Sequence, residues 1–339
     1  MSEVLEDAGF DDWPEPTMPQ DISVGLRGFA SEDGAREFGH AVLGAVRTIS
    51  GLIDLERLDG ITIGFDYDEA LASVDRGKEG LRPLSRSDGE VIGIAMSPAV
   101  LRDGVVKVHL VFSADYIAGI LDGEATDAFR FALAVIAHEC AHVEVTKQRD
   151  IAFPDTVLQA HYEGYEAELF GQIADICWEE YAACRIAAPF SSGKSDDYTA
   201  GLESVLAVAE DRANEAIRAY RSHGNIDRVV NEAGTSLCQP LKIASYLLGH
   251  MDGVGIDWSE LAAMRELVVS SGYAELIDDL RDELRLLWEG RDSWETLAEF
   301  DMLRDVVRDC FESGGLFFSG RPDGTAHVAI PFTAETMPV

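Results

Sequence analysis

The sequence predicts an α+β fold that is mostly helical. Apolar residues recur with helical spacing over most of the chain, whereas three short runs have the composition of strands. These runs are GITIGFDY (60–67), EVIGIAMS (90–97) and VVKVHLVF (105–112). Because all three precede the longest helical stretches, we expect one small sheet followed by helices.

The first predicted helix covers residues 35–57. A second is expected to start near Thr126 and to end near Lys147, because acidic and basic residues lie at its two ends as the helix dipole favours. After Pro154 a third helical region extends to about Ala188. Gly171 predicts an interruption of this region.

The chain divides into three predicted regions. Residues 1–34 hold nine acidic residues, one basic residue and three prolines, which predicts a mostly irregular tail. Residues 35–190 are predicted to form one domain. The turn-rich stretch PFSSGKSDD (189–197) then leads to a helical C-terminal region, 198–339, in which TAHVAIPF (325–332) is a candidate late strand.

The composition argues against several classes of protein. The 339 residues are 47% hydrophobic, which is too apolar for a disordered chain. The formal charge of −35 opposes binding to nucleic acid or to anionic membranes. No apolar run is as long as a membrane span, and the acidic N-terminus has no signal pattern. The five scattered cysteines form no CxxC pair, so we expect reduced thiols and a cytoplasmic protein.

The stretch FALAVIAHECAHVEVTKQRD (131–150) contains a candidate metal site. His138 and His142 are four residues apart, so they lie about 40° apart on one face of a helix. Since the rest of the helix is apolar almost all round, two buried imidazoles need partners, and a shared cation can supply one. Glu139 lies on the flank of the pair, where it can reach a metal-bound water. The alternative is a buried helix with two ordinary core histidines.

Zinc usually takes a third protein ligand, and Glu180 is the best candidate. In QIADICWEEYAACRIAAPF (172–190) it shares an apolar helical face with Ile176 and Cys177, whereas Glu179 lies on a polar side. An acid within an apolar stripe requires an ion pair or a metal. An ion pair with an arginine is therefore the structural alternative for Glu180.

These motifs resemble those of the gluzincin metallopeptidases, which pair HExxH on one helix with a zinc-binding glutamate on a second. One branch of that family has Glu-x-x-Ala-Asp-Arg, and EYAACR (180–185) matches it at Glu180, Ala183 and Arg185. The family's aspartate, which braces a ligand histidine, is replaced by Cys184, so we expect the bracing group to come from elsewhere.

The resemblance covers residues 35–190 and implies a zincin-like core. Such a core has a small twisted sheet, an active-site helix and a backing helix. VVKVHLVF (105–112) would be its edge strand, pairing with an extended peptide. No resemblance covers residues 198–339.

The resemblance implies a zinc-dependent peptidase acting on a peptide or protein substrate. His138, His142 and Glu180 would hold Zn²⁺, and Glu139 would act as the general base. The residue that would stabilise the oxyanion is not decided by spacing. Its candidates are His161, Tyr165, His223 and His250.

Other polar residues are assigned structural roles. Cys140 lies on the opposite side of its helix from the histidines and is expected in the core, and Cys177 and Cys184 are expected to pack around Glu180. Solvated or turn positions are expected for Glu144, Asp150, Asp155 and Asp175.

Two further hypotheses concern function as a whole. FDDWPEP (10–16) carries acids that could enter the cleft and inhibit it, with a solvated tail as the alternative. The alternative to a peptidase is a zincin-like metal-binding protein that acts as a regulator or scaffold without turnover. No pattern indicates the oligomeric state.

Overall fold

The computed structural model describes residues 14–86, 93–158, 162–191 and 193–337. Their fold is α+β and mostly helical, as predicted, with one small mixed sheet. The described residues group into two compact units, 1–159 with 182–194, and 160–181 with 195–339.

The first unit contains a five-stranded sheet and its covering helices. Its strands are β1 (Ser23–Arg27), β2 (Leu58–Gly64), β3 (Ala95–Met96), β4 (Ala99–Arg102) and β5 (Val105–Ser113). Its helices are α1 (Glu32–Ile49), α2 (Tyr67–Ala72), α3 (Ala114–Ile117) and α4 (Asp127–Ala152). Helix α5 (Tyr165–Ala187) begins in the second unit and contributes its last residues to the first.

The sheet joins parallel and antiparallel strands. β1, β2 and β5 are parallel neighbours, and β3 and β4 both pair with β5 in the antiparallel sense. The prediction that residues 105–112 form the edge strand is therefore wrong, because β5 has neighbours on both sides. The edge is formed by β3 and β4. The sequence indicated β3 only as part of a longer run, 90–97, of which 90–92 lie outside the described residues.

The core of the first unit lies on one face of the sheet. Alternate residues of β2 and β5 project onto helices α1 and α4, because successive side chains of a strand point to opposite faces. Ile61, Ile63, Leu110 and Phe112 are fully buried there. The opposite face carries the polar residues Thr62 and His109, and also Val111, which belongs to a second, smaller apolar cluster with Tyr67, Ala70 and Leu71.

The predicted tail contributes to this unit. β1 lies within residues 1–34 and pairs with β2, which the sequence analysis did not anticipate. Thr17 anchors the segment before β1, since its hydroxyl donates to the carbonyl oxygen of Ser50 at 2.9 Å. Asp11 and Asp12 of the proposed inhibitory segment lie outside the described residues, and Glu15 is exposed.

The second unit is mainly helical. It contains α6 (Lys194–Leu206), α7 (Ala209–His223), α8 (Ile226–Val254), α9 (Ala262–Ser270), α10 (Ala274–Gly290) and α11 (Asp301–Ser313). A hairpin of β6 (Phe317–Gly320) and β7 (Ala326–Ala329) follows. The expectation of a C-terminal region that is otherwise all-helical is therefore wrong at its end: the candidate strand 325–332 corresponds to β7, and β6 was not predicted.

Three predicted helices also differ in extent or continuity. α1 ends at Ile49, whereas the prediction extended it to residue 57. α4 begins at Asp127 as expected, where the Thr126 side chain caps it by accepting from the Phe129 N–H at 3.1 Å, but it continues to Ala152. α5 is not interrupted at Gly171. A Cβ there would lie 2.5 Å from the Tyr162 ring, so this glycine makes room for packing. No helix within the described ranges is both long and apolar enough to cross a bilayer.

Candidate metal centre

Helix α4 carries the two histidines of the HExxH motif. Its buried side chains lie on opposite faces, with Ile136, Cys140 and Val143 on one and Ala134, Ala141 and Val145 on the other, which agrees with the prediction that it is covered almost all round. Cys140 is fully buried in the core, as expected. His138 and His142 are half-buried and lie on the same face, one turn apart.

The two imidazoles point at one another. Their Nε2 atoms are 3.2 Å apart, and the rings are nearly perpendicular with centroids 4.8 Å apart. Two lone-pair nitrogens directed at one point form half of a tetrahedral ligand set. Between two neutral imidazoles, only one of these nitrogens can donate a hydrogen bond to the other. A cation between them would instead accept the lone pairs of both nitrogens.

Glu180 of α5 joins this pair. One ligand atom from each of His138, His142 and Glu180 lies within 4.8 Å of the other two. Residues 182–187 of the same helix belong to the first unit, and Glu180 precedes this segment by two residues, which is less than one helical turn. The alternative weighed for Glu180 was an ion pair with an arginine. The basic group beside its carboxylate is the Lys242 ammonium, whose Nζ lies 3.7 Å from Glu180 Oε1.

Cys184 lies beside His138. Its Sγ is 3.6 Å from Nδ1, the ring nitrogen that does not face His142. The expectation that Cys184 only packs around Glu180, with the bracing group coming from elsewhere, is therefore wrong. The residue at the family's aspartate position is itself the group next to the histidine. Cys177 is fully buried, and burial is the main cause that raises the pKa of its thiol to about 12.

Glu139 is buried, with 7% of its surface exposed. The hydroxyl of Ser97, between β3 and β4, lies 2.6 Å from Glu139 Oε2 and 3.0 Å from the Glu139 carbonyl oxygen. A hydroxyl with two acceptors of the same residue holds that side chain in one orientation. The edge of the sheet thus reaches the carboxylate that the motif predicts as the general base.

Tyr67 is a residue of this region that the sequence analysis missed. Tyr67 is the first residue of α2 and is 5% exposed. Its hydroxyl is buried without a hydrogen-bond partner among the described residues. Burial, and then the nearby Glu139 carboxylate, raise the pKa of the Tyr67 phenol well above its usual value. The phenol is therefore protonated at neutral pH and can donate. No sequence signal links it to a motif more than seventy residues away.

None of the four candidates for the oxyanion-stabilising residue is placed at the site by the described residues. His161 lies outside the described residues. Tyr165 is fifteen residues before Glu180 on the same helix, about 22 Å along its axis, so it does not serve the same site. His223 accepts from the Asn225 N–H at the end of α7. His250 is buried in α8, with its ring centroid 5.4 Å from that of Tyr198.

Four acidic side chains were predicted to be solvated or in turns. Glu144 instead accepts from the Asp54 N–H at 2.8 Å, and Asp175 accepts from the Tyr162 hydroxyl at 2.8 Å. Asp150 lies in α4 and forms an ion pair with Arg57. Asp155 is in a turn as predicted, with φ of 66°.

Comparison of the chain with protein-family models, with curated proteins and with solved structures finds no match. The assignment of function therefore depends on the chemistry of the site.

Proposed function

We propose that the protein is a zinc-dependent metallopeptidase. The observation that carries this proposal is the convergence of His138, His142 and Glu180, whose ligand atoms lie within 4.8 Å of one another. Two imidazoles and one carboxylate, with a further carboxylate next to the first histidine, are the groups that metal-assisted hydrolysis of an amide requires.

The residues present fit Zn²⁺. The ion accepts nitrogen and carboxylate ligands in tetrahedral geometry, and a catalytic site keeps one position for water or substrate. Three protein ligands leave that position open. When bound, zinc would make a water nucleophilic near neutral pH and polarise the scissile carbonyl.

The remaining steps belong to side chains of the first unit. Glu139 takes the proton of the attacking water and delivers it to the leaving amine. Ser97 keeps the Glu139 carboxylate oriented through its hydrogen bond. Tyr67 is proposed as the donor to the carbonyl oxygen, because its buried hydroxyl lacks another partner among the described residues and lies near Glu139.

The substrate proposed is an extended peptide paired with the edge at β3, because β4 already bonds to Arg76, through the Leu101 N–H at 2.9 Å and the Ala99 carbonyl oxygen at 3.0 Å. An antiparallel strand at a sheet edge offers main-chain groups to a new strand. Ser97, which contacts Glu139, directly follows β3. A peptide added here would have its backbone next to the general base.

The order of elements supports a zincin-like core. Helix α1, the small sheet, α4 with HExxH and α5 with Glu180 follow one another in the order that the resemblance implies. The five cysteines are free and buried, which supports a reducing compartment such as the cytoplasm.

The alternative function is a zincin-like metal-binding protein without turnover. Cys184 favours it, because a thiol is a weaker hydrogen-bond partner for His138 than the carboxylate it replaces. A histidine held less firmly would bind metal but orient it less well.

Replacement of Glu139 separates the two functions. We expect Glu139→Gln to retain zinc and to lower kcat on a peptide library about 10²–10⁴-fold, because the amide cannot accept the water proton. Asp127→Asn, which removes a carboxylate that is 98% exposed in the first turn of the same helix, is the matched control. Equal rates for wild type and Glu139→Gln, with zinc bound to both, would support the alternative.

A further inference from the structure

The second unit contains a cavity of about 450 Å³. It lies between the first turns of α5, helix α11 and the turn of the β6–β7 hairpin. The hairpin is tied to α5 by the Tyr165 N–H, which donates to the carbonyl oxygen of Gly324 at 2.9 Å. The volume is within the range of pockets that bind small molecules, roughly 300–1,000 Å³.

The cavity is lined by charges of both signs. In the whole chain acidic residues outnumber basic ones by 62 to 27. The lining instead brings three arginines next to four acids, namely Arg304, Arg308 and Arg321 with Glu163, Glu166, Asp301 and Asp305. A polyanion such as phosphate would meet four carboxylates, and a dication would meet three guanidinium groups. The lining therefore favours a ligand that carries one charge of each sign.

Two arginines of α11 are already oriented for a carboxylate. Arg304 donates from Nη1 to Asp301 at 2.7 Å, and Arg308 donates from Nη2 to Glu166 at 3.2 Å. These ion pairs fix the guanidinium groups, four residues apart on one helical face. The Nε atoms of both are buried and have no hydrogen-bond partner within the described ranges. Because each of these ion pairs uses one Nη atom of a group with five N–H donors, each guanidinium keeps further donors for an incoming anion.

Glu166 offers the complementary group. Its Oε2 accepts from Arg308, whereas its Oε1 is buried and has no partner among the residues that the structure describes. Gly320 maintains the space before this oxygen, because a Cβ at that position would lie 3.3 Å from it. A carboxylate oxygen in this state is a site for an ammonium group.

We propose that this cavity binds a small zwitterion, a free α-amino acid. Its carboxylate binds the guanidinium groups of Arg304 and Arg308, and its ammonium group binds the Glu166 carboxylate. The ring of Phe170, 5.3 Å from the Arg308 guanidinium, lines the cavity for an apolar side chain. The inference uses the second unit alone and does not depend on peptidase activity.

Calorimetric titration of the full chain with glycine, L-leucine and L-phenylalanine tests the proposal. We expect saturable binding of at least one of the three. N-acetyl-L-leucine lacks the ammonium group and L-leucinamide lacks the carboxylate, so each should bind at least about tenfold more weakly than L-leucine. Absence of saturable binding for all three amino acids, or tighter binding of inorganic phosphate, would overturn the proposal.

Variants then locate the binding. Arg304→Gln and Glu166→Gln should each weaken binding at least about tenfold. Gly320→Val fills the space before Glu166 while every charge is kept, and it suits a strand position, so it serves if a charge variant fails to fold. Arg228→Gln is the matched control, because that exposed arginine pairs with Glu232 outside the cavity. Unchanged affinity in Arg304→Gln, Glu166→Gln and Gly320→Val would refute the site.

Discussion

The first unit contains two histidine environments that differ in the partners of the ring nitrogens. On the outer face of the sheet, His109 has a partner at each ring nitrogen, because Nδ1 lies 3.0 Å from Asp59 Oδ2 and Nε2 lies 2.9 Å from Thr62 Oγ1. The carboxylate only accepts, so Nδ1 carries the proton and Nε2 accepts from the hydroxyl. On α4, the Nε2 atoms of His138 and His142 face each other at 3.2 Å.

The difference distinguishes a structural histidine from the two histidines proposed as metal ligands. The His109 ring is matched by protein groups of complementary kind, and Gly60 leaves space for it, since a Cβ there would lie 2.9 Å from its Cε1. Arg102 completes the network with two hydrogen bonds to Asp59. The histidines of α4 instead direct identical atoms at one point, next to the carboxylate of Glu180.

The largest expected effect concerns the network on the sheet. Asp59→Asn should lower the free energy of unfolding by about 2–3 kcal/mol, because Arg102 loses its carboxylate and His109 loses its charged acceptor. Zinc content should stay at the wild-type level. Urea unfolding and elemental analysis measure the two quantities. A loss of zinc without a loss of stability would reverse the roles assigned to the two environments.

Tyr67→Phe tests the role of a side chain near the candidate metal centre. We expect kcat to fall about 10²-fold with KM and zinc content unchanged, because an oxyanion donor acts mainly in the transition state. Stability should be unchanged or higher, since the deleted hydroxyl is buried without a described partner. Tyr116→Phe, at a tyrosine that is 47% exposed, is the control. A lower stability with an unchanged kcat would assign Tyr67 a purely structural role.

The smallest of these effects is expected at Cys184. Cys184→Ala should weaken zinc affinity about tenfold, because His138 loses the group next to its Nδ1. Cys184→Asp should bind zinc at least as tightly as wild type. Cys177→Ala, which removes another fully buried thiol of α5, should have no effect on affinity. Equal zinc affinities for Cys184→Ala and wild type would show that the sulfur does not position the histidine.

Local patterns predicted the helices and the residues that converge on the metal centre. The spacing of His138 and His142 is a property of one helix, and the apolar stripe of α5 distinguished Glu180 from Glu179. One member of that stripe, Ile176, is 41% exposed, so the stripe is less buried than expected. Periodicity worked here because each inference needed only the geometry of a single helix.

Pairing between distant segments could not be predicted in the same way. The resemblance implied that β5 lies at the edge, whereas the short strands β3 and β4 pair with it there. Ser97 and Tyr67 come near Glu139 only through the fold of the sheet and α2. Their positions depend on tertiary contacts for which the local sequence has no signature.

Elemental analysis of the purified chain tests the central claim most directly. Wild-type protein reconstituted with zinc and dialysed should retain one ion per chain, and His138→Ala, His142→Ala and Glu180→Ala should each retain much less. His109→Gln should retain zinc like wild type, because that ring is committed to Asp59 and Thr62. Wild-type protein without bound zinc, or equal zinc in His138→Ala, would contradict the account.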